Sequence, residues 1–254
     1  METTTSGDQP LLELKGIGKD FGAVRALQGV DLSIYPGEVV GIMGDNGAGK
    51  STLVKIVAGN FPATHGDVRF EGELVHFRHP IDAREVGIEI VYQDLALADN
   101  LTATANVYLA RELKRKFGPF SFLDHKKMAN RALEIFGELR SETRPQQLIR
   151  QMSGGQRQAV AIARTRLANA KLVMMDEPTA AISVRQVAQV LSLIRGLRDQ
   201  GVAVMLISHR MPDVFAVSDR IIVFRRGEKK ADKPIKDSSP EEVTALITGA
   251  KEAA

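Results

Sequence analysis

The sequence holds no cysteine and no tryptophan. Without cysteine there is no disulfide, no thiol nucleophile and no cysteine-ligated zinc, and the chain suits a reducing compartment. Aromatic residues make up only 5% of it, which does not suggest the stacking platforms used for single-stranded nucleic acid. Net charge is a modest +3, so no broad basic footprint points to a nucleic-acid partner. Two basic runs stand out, "RELKRK" at 111–116 and "RRGEKK" at 225–230, and both read as solvated faces or turns. Long apolar runs are missing as well. The longest, such as "VAVMLI" at 202–207, have the length of a strand and fall far short of a membrane span. The N-terminal "METTTSGDQP" is polar and carries no apolar signal core. These absences describe a cytoplasmic chain with loose ends at 1–10 and 250–254. Any membrane role has to come through a partner.

What is present suffices for a sizeable core. The 254 residues are 44% hydrophobic and 26% charged, enough for one large domain or a core with an inserted subdomain. From Leu11 to about Phe77 the apolar stretches are short and bounded by Gly, Pro or Asp, the texture of strands and turns. A helix beginning at Lys50 and running to about Gly59 interrupts them. "GIEIVYQ" at 87–93 reads as a buried strand. From about Thr102 to Leu167 apolar residues recur at helical spacing, with "KFGPFSF" at 116–122 as a Gly/Pro loop. "KLVMMDE" (171–177), "VAVMLISH" (202–209) and "RIIVFRRG" (220–227) are continuous apolar runs, typical of parallel strands covered on both faces. Between them, "SVRQVAQVLSLIRGLRDQG" places Val187, Val190, Leu191, Ile194 and Leu197 on one helical stripe that Gly201 stops. "SSPEEVTALITG" predicts a helix capped by Ser239, with Pro240 in its first turn and Glu242 in position to close a capping box. The expected fold is therefore α/β. Core segments at 11–93 and 166–249 flank a helical subdomain at 94–165.

Gly44-Asp45-Asn46-Gly47-Ala48-Gly49-Lys50-Ser51-Thr52 fits G-x-x-x-x-G-K-[ST] between an apolar strand and a helix. Glycines there let backbone N–H groups converge on phosphate oxygens at a helix N-terminus. Lys50 reaches the terminal phosphates and the Ser51 hydroxyl ligates Mg²⁺. "LVMMDEP" then ends an apolar strand in Asp176 and Glu177. Beside a phosphate loop, the strand-end Asp176 holds Mg²⁺ and Glu177 orients the attacking water.

A third motif, Ser153-Gly154-Gly155-Gln156, lies 23 residues before Asp176. Alone, "SGGQ" is only a capped helix start. Together with the phosphate loop and "MMDE" it resembles the nucleotide-binding subunit of ABC transporters, over about residues 11–249. The resemblance implies a P-loop NTPase core with a mixed, largely parallel sheet, an N-terminal antiparallel β layer and an inserted α-helical subdomain. It also implies ATP and Mg²⁺ as cofactors. Gln93 in "VYQD" corresponds to the glutamine that contacts Mg²⁺ and water and borders the transmembrane partner. His209 in "LISHR" corresponds to the switch histidine near the γ-phosphate, and Phe21 to the aromatic stacked on adenine. His65, His76, His79 and His125 read as surface residues. Ser183 stands where the family usually has Asp. It keeps a helix cap but loses a carboxylate, so differently tuned coupling between paired sites is expected.

"VYQDLALADNLTATANVYLAREL" and "SHRMPDVFAVSDRIIVFRRGE" most resemble ATPase subunits of bacterial monosaccharide importers of the ribose, xylose and fructose type. Many of those carry two fused halves, and this sequence carries one. The resemblance therefore implies a head-to-tail dimer of two copies with ATP between them. Further implied partners are membrane permease subunits and, indirectly, a sugar-binding protein, with no nucleic acid and a location on the inner face of the cell membrane. Three rivals stay open: a non-transport ABC ATPase in DNA repair or on ribosomes, a monomeric P-loop kinase or GTPase, and a nucleotide-binding regulator that does not hydrolyse. The absence of an N-K-x-D run speaks against a GTPase, and the intact Lys50, Asp176 and Glu177 speak against the regulator.

Overall fold

The structure is a computed structural model describing residues 9–117, 119–139, 141–180 and 182–250. Most of the expected loose ends lie outside these residues. The chain opens with β1 (Leu12–Phe21), β2 (Val24–Ile34), β3 (Val39–Gly44) and α1 (Lys50–Val57). It continues through β4 (His65–Phe70), β5 (Glu73–Val75), α2 (Pro80–Glu85) and β6 (Ile88–Val91). Next come α3 (Ala103–Val107), β7 (Lys114–Phe117), β8 (Phe120–Leu123), α4 (His125–Glu138) and α5 (Gly154–Leu167). The last part holds β9 (Leu172–Asp176), α6 (Val184–Asp199), β10 (Ala203–Ile207), α7 (Met211–Val217), β11 (Arg220–Arg225), β12 (Glu228–Pro234) and α8 (Pro240–Thr248).

A six-stranded sheet in the order β12-β11-β3-β10-β9-β6 forms the centre. Its strands are parallel except β12, which pairs antiparallel with β11 at one edge. β3 and β10 are buried along their whole length. That explains their unbroken apolar sequences, because both faces of a parallel sheet are covered. Alternation along the strands divides the core in two. Val173 and Met175 of β9 pack with the side carrying α5, α6 and α7. Leu172 and Met174 face α1 and a second, antiparallel sheet in the order β2-β1-β4-β5.

The predicted α6 stripe is buried as expected, and Gly201 follows it at φ 80°. Ser239 caps α8 by accepting the Glu242 N–H at 3.2 Å, while the Glu242 carboxylate pairs with Lys233 at 2.8 Å. The region from Thr102 to Leu167 is less helical than its spacing suggests. α3 has only five residues: the chain turns at buried Tyr108, and Ala110 adopts φ 64° with its N–H held by Glu112. The expected loop at 116–122 is instead part of a β7–β8 hairpin, in which Lys114 pairs with Leu123 and Arg115 with Phe122. Gly118 lies outside the described residues. The short helices α2 and α7 carry no long periodic signal. α2 is fixed by Pro80 at its start and by Asp82, which accepts the N–H groups of Arg78 and His79.

Arg220 ties the two sheets together where β11 begins. Its guanidinium donates to Glu38 at 2.7 Å, to Asp232 of β12 at 2.6 Å and to the Ser33 carbonyl of β2 at 2.5 Å. Burial works against its charge, but the Glu38 hydrogen bond and the charges of Glu38 and Asp232 hold its pKa above the usual arginine value. Removing one member of such a network leaves the other charges uncompensated. Arg220→Ala is therefore expected to cost about 3 kcal/mol, read as a lower urea midpoint at unchanged slope.

Candidate functional site

β3 delivers Gly44 to the carboxyl edge of the central sheet, and the loop after it has little freedom. Gly44, Gly47 and Gly49 take φ values of 153°, 79° and 102°. A Cβ on Gly44 would stand 2.3 Å from the Phe224 carbonyl oxygen, and one on Gly49 2.7 Å from Leu27 Cδ2. The loop is thus wedged between β2 and the turn that joins β11 to β12, whose Gly227 N–H donates to the Ala48 carbonyl at 3.1 Å. Among the described residues no side chain caps α1, so its first N–H groups are left to an external acceptor. Asp45, Asn46, Gly47 and Ser51 are exposed, Ala48 and Lys50 are buried, and Thr52 is between. Asp45 to Ala48 line a cavity of about 300 Å³ together with Arg225 and Arg226. Lys50 folds back to donate to the carbonyls of Gly44 at 2.6 Å and Asp45 at 2.8 Å.

β9 brings Asp176 and Glu177 to the same edge. Burial depresses the Lys50 pKa, and the charges of Glu177, Asp176 and Asp45 oppose that shift. Burial raises the Asp176 pKa, as does the neighbouring Glu177, while Lys50 and Lys55 pull it down. The three side chains therefore act on one another electrostatically, as a nucleotide site requires. Glu177 has φ 50°, uncommon for a residue with a side chain. Its N–H donates to Ile207 of β10 at 2.9 Å. Its Oε2 lies 2.8 Å from His209 Nδ1 and accepts the His209 backbone N–H at 3.4 Å. The loop that follows is pinned from two sides. Gln158 of α5 donates to the Pro178 carbonyl at 2.6 Å, and Thr179 donates to buried Asp213 of α7 at 2.6 Å. Sequence reasoning misses Gln158 and Asp213; the only hint is a polar residue at a buried position of each helix.

Ser153 caps α5 by accepting the Gln156 N–H at 3.3 Å, and Gln156 returns the bond to the Ser153 N–H at 3.0 Å. Ser183 and Gln186 repeat the arrangement at the start of α6. The two helix starts lie against each other. A Cβ on Gly154 would stand 3.0 Å from Ile182 Cγ2, and one on Gly155 2.5 Å from Gln189 Oε1. Ser153, Gly155 and Gln156 line a cavity of about 430 Å³ with Ser183 and Gln186, separate from the cavity beside the phosphate loop. Among the described residues of one chain, "SGGQ" and the loop line two different cavities.

Gln93 is exposed just beyond β6. Phe21 ends β1 and is 48% exposed, so it is not a core residue. It meets Phe61 edge-to-face at 5.4 Å, with Lys19 Nζ 5.2 Å from its ring centroid. Phe61 has no sequence signal of its own. His65, His76, His79 and His125 are all exposed. Among the described residues no group of three or more His, Cys, Asp or Glu is placed to hold a metal unaided. The hydroxyl of Ser51 and the carboxylate of Asp176 are hard oxygen donors, which suit Mg²⁺ when phosphate oxygens and water supply the remaining ligands.

These features define a P-loop α/β fold with a nucleotide-type site. The family model described as ABC transporter matches residues 27–180, and the chain belongs to that family. It is 44% identical over 239 residues to the xylose/arabinose import ATP-binding protein of Sulfolobus acidocaldarius, covering 94% of each chain. It is 42% identical over 249 residues to the fructose import ATP-binding protein of Rhizobium meliloti, covering 96% of each. A ribose import ATP-binding protein of Burkholderia cenocepacia is 39% identical over 95% of this chain but 47% of its own length. Among solved structures, the ADP conformation of an ABC transporter's ATP-binding cassette superposes with a TM-score of 0.78 at 25% identity, covering 94% of this chain and 95% of that one. A dimeric bacterial ABC transporter cassette gives 0.72 at 27% identity, covering 88% and 98%.

Because the folded pKa of Asp176 lies above its unfolded value, its ionised form costs stability. That cost sets in as pH rises above the ordinary carboxylate value and grows as the folded group ionises. Asp176→Asn is therefore expected to raise the Tm of the nucleotide-free chain more at neutral than at acid pH. Calorimetry across that range checks the sign.

Proposed function

We propose that this chain is the ATP-hydrolysing subunit of a sugar importer, working as a head-to-tail pair of copies on membrane permease subunits. The observation that carries the reading is the division of the site. Lys50, Asp176, Glu177 and His209 assemble at one edge of the central sheet, whereas "SGGQ" lines a separate cavity. A second copy, turned to face the first, supplies the missing half.

The geometry supports the following roles. The loop amides from Gly44 to Thr52 and the Lys50 ammonium bind the phosphates, and Phe21 offers its exposed ring to adenine. Ser51, Asp176 and Gln93 would hold Mg²⁺, which when bound neutralises phosphate charge. Glu177 accepts a hydrogen bond from the attacking water and keeps it in line. His209, 2.8 Å from the Glu177 carboxylate, fixes its direction. Ser153 and the amides of Gly154 and Gly155 in the other copy close over the terminal phosphate, with Gln156 locking their helix start. Ser183 keeps the cap of α6 without the carboxylate usual there, which tunes coupling between the paired sites.

The region 94–165 beside Gln93 passes closure of the pair to the permease. The xylose/arabinose and fructose relatives, matched over nearly their whole length, support import of a small sugar over a role in DNA repair or on ribosomes. A sugar-binding protein is the indirect partner, and the subunit sits on the inner face of the cell membrane through the permease.

Glu177→Gln is expected to lower ATP turnover at least about a hundredfold while ATP still binds. Full turnover in that variant would overturn the assignment. Gly154→Asp places a carboxylate at the phosphate-facing helix start of the opposite copy. It is expected to abolish turnover and ATP-dependent dimerisation, measured by light scattering, with ATP binding by a single copy unchanged.

A further inference from the structure

The basic run at 111–116 takes no part in the nucleotide site, yet the structure gives it a definite form. It feeds into β7, half of a two-stranded sheet that pairs with neither larger sheet. The base of this hairpin is stapled to α4: Asp124 N–H donates to the Leu113 carbonyl at 2.8 Å, and Leu113 N–H to Met128 Sδ at 3.4 Å. Its β8 strand is apolar and exposed. Phe120, Phe122 and, nearer the base, Leu123 are 64%, 53% and 41% exposed, and the two phenylalanine rings lie 6.3 Å apart. An exposed apolar patch of this kind marks a contact surface.

Charge is concentrated in the same place. Residues 111–127 contain six Lys or Arg and two Asp or Glu, and of the six only Arg111 is in an ion pair among the described residues, with buried Glu89. Both acids are occupied by backbone groups. Glu112 accepts the Ala110 N–H at 3.1 Å, and Asp124 caps α4 by accepting the Lys127 N–H at 3.0 Å. Lys114, Arg115, Lys116, Lys126 and Lys127 are exposed, and none is in an ion pair among the described residues. The strand register places Arg115 on the face of Phe122, and Lys114 and Lys116 on the face of Leu123. Cations therefore flank the apolar tip on both faces.

We propose that the β7–β8 hairpin and the start of α4 form a membrane-contact surface for an anionic lipid headgroup layer. Phe120 and Phe122 enter the interface, and the lysines and Arg115 lie among the phosphates. A headgroup layer surrounds an inserted tip and meets cations on both of its faces, whereas a protein partner would need acidic groups on two sides. Leu109 lines both the groove beside Tyr92 and the cavity beneath the hairpin, which also includes Leu123. The contact thus lies within the region 94–165 assigned above to the permease, next to the groove beside Tyr92, and only this last point rests on the proposed function. A single weak insertion gives reversible binding, which adds to attachment through the permease.

The test is co-sedimentation of the full chain with vesicles of mixed phosphatidylglycerol and phosphatidylcholine, against phosphatidylcholine alone. Binding is expected only to the anionic vesicles and should weaken as salt rises. Lys114→Glu with Lys116→Glu, and separately Phe120→Ser with Phe122→Ser, should each weaken it roughly tenfold or more. Melting temperature and ATP turnover in solution should match the unaltered chain. Equal binding to both vesicle types, or variants that bind as tightly as the parent, would overturn the proposal. So would a parent chain that ignores anionic vesicles while the same variants lose the permease, which would give the hairpin to a protein partner. Glu177→Gln should leave vesicle binding intact, so failure of this inference and failure of the proposed function are told apart.

Discussion

Three charged side chains at the carboxyl edge of one buried sheet set the terms for the rest of the site. Lys50, Asp176 and Glu177 come from the ends of strands or the helix start beside them, and the fold holds them together at a cost. Burial pushes the Lys50 pKa down and the Asp176 pKa up. Lys50 offsets part of its cost by donating to the carbonyls of Gly44 and Asp45, contacts that a phosphate could replace with stronger, charge-assisted ones. Burial of opposite charges at this edge favours a polyphosphate that arrives with a cation. Preorganisation of this kind is what lets fixed groups stabilise charge as it develops.

That arrangement is useful only if the loops carrying it are rigid, and the structure spends buried polar groups on that end. The glycine loop is gripped by β2 on one side and by Gly227 on the other. The segment after Glu177 is held by Gln158 from α5 and by Asp213 from α7. The first of these bonds has a further consequence. α5 begins with Ser153-Gly154-Gly155-Gln156, so the helix that presents this motif outward also grips the loop carrying its own chain's Glu177. A displacement of α5 on meeting another copy's nucleotide would reach Pro178 through one hydrogen bond at 2.6 Å. This is a physical connection between the two halves of the site within one chain, and it does not depend on the residue at 183.

Much of this was legible in the sequence, for reasons that differ by element. β3, β9 and β10 declare themselves because a strand covered on both faces must be apolar throughout. α6 does so because a long amphipathic helix repeats its stripe several times. The phosphate loop is legible because its backbone conformations exclude nearly everything except glycine at Gly44 and Gly49. The insert was less legible. α3 is too short for periodicity to mark its end, and the alternation of "KRKF" and "FSFL" is hidden by charge on one strand and by Gly-Pro between them. Phe61, Gln158 and Asp213 were invisible because their roles depend on contacts with distant segments, which local pattern does not encode.

The distribution of charge links these observations. The chain is nearly neutral, yet basic residues cluster at 225–230 and, more strongly, on one hairpin and the helix start that supports it. The nucleotide site has cations of its own: Lys50 stands beside Asp176 and Glu177, and Arg225 and Arg226 line the cavity next to the phosphate loop. Cations so placed steer a polyphosphate inward. The cluster at 111–127 has no such place. It lies on an element that no hydrogen bond among the described residues connects to the phosphate loop, beside side chains that are apolar and exposed. The apolar exposure costs solubility without benefit to ATP binding, which fits a contact other than the one with the nucleotide.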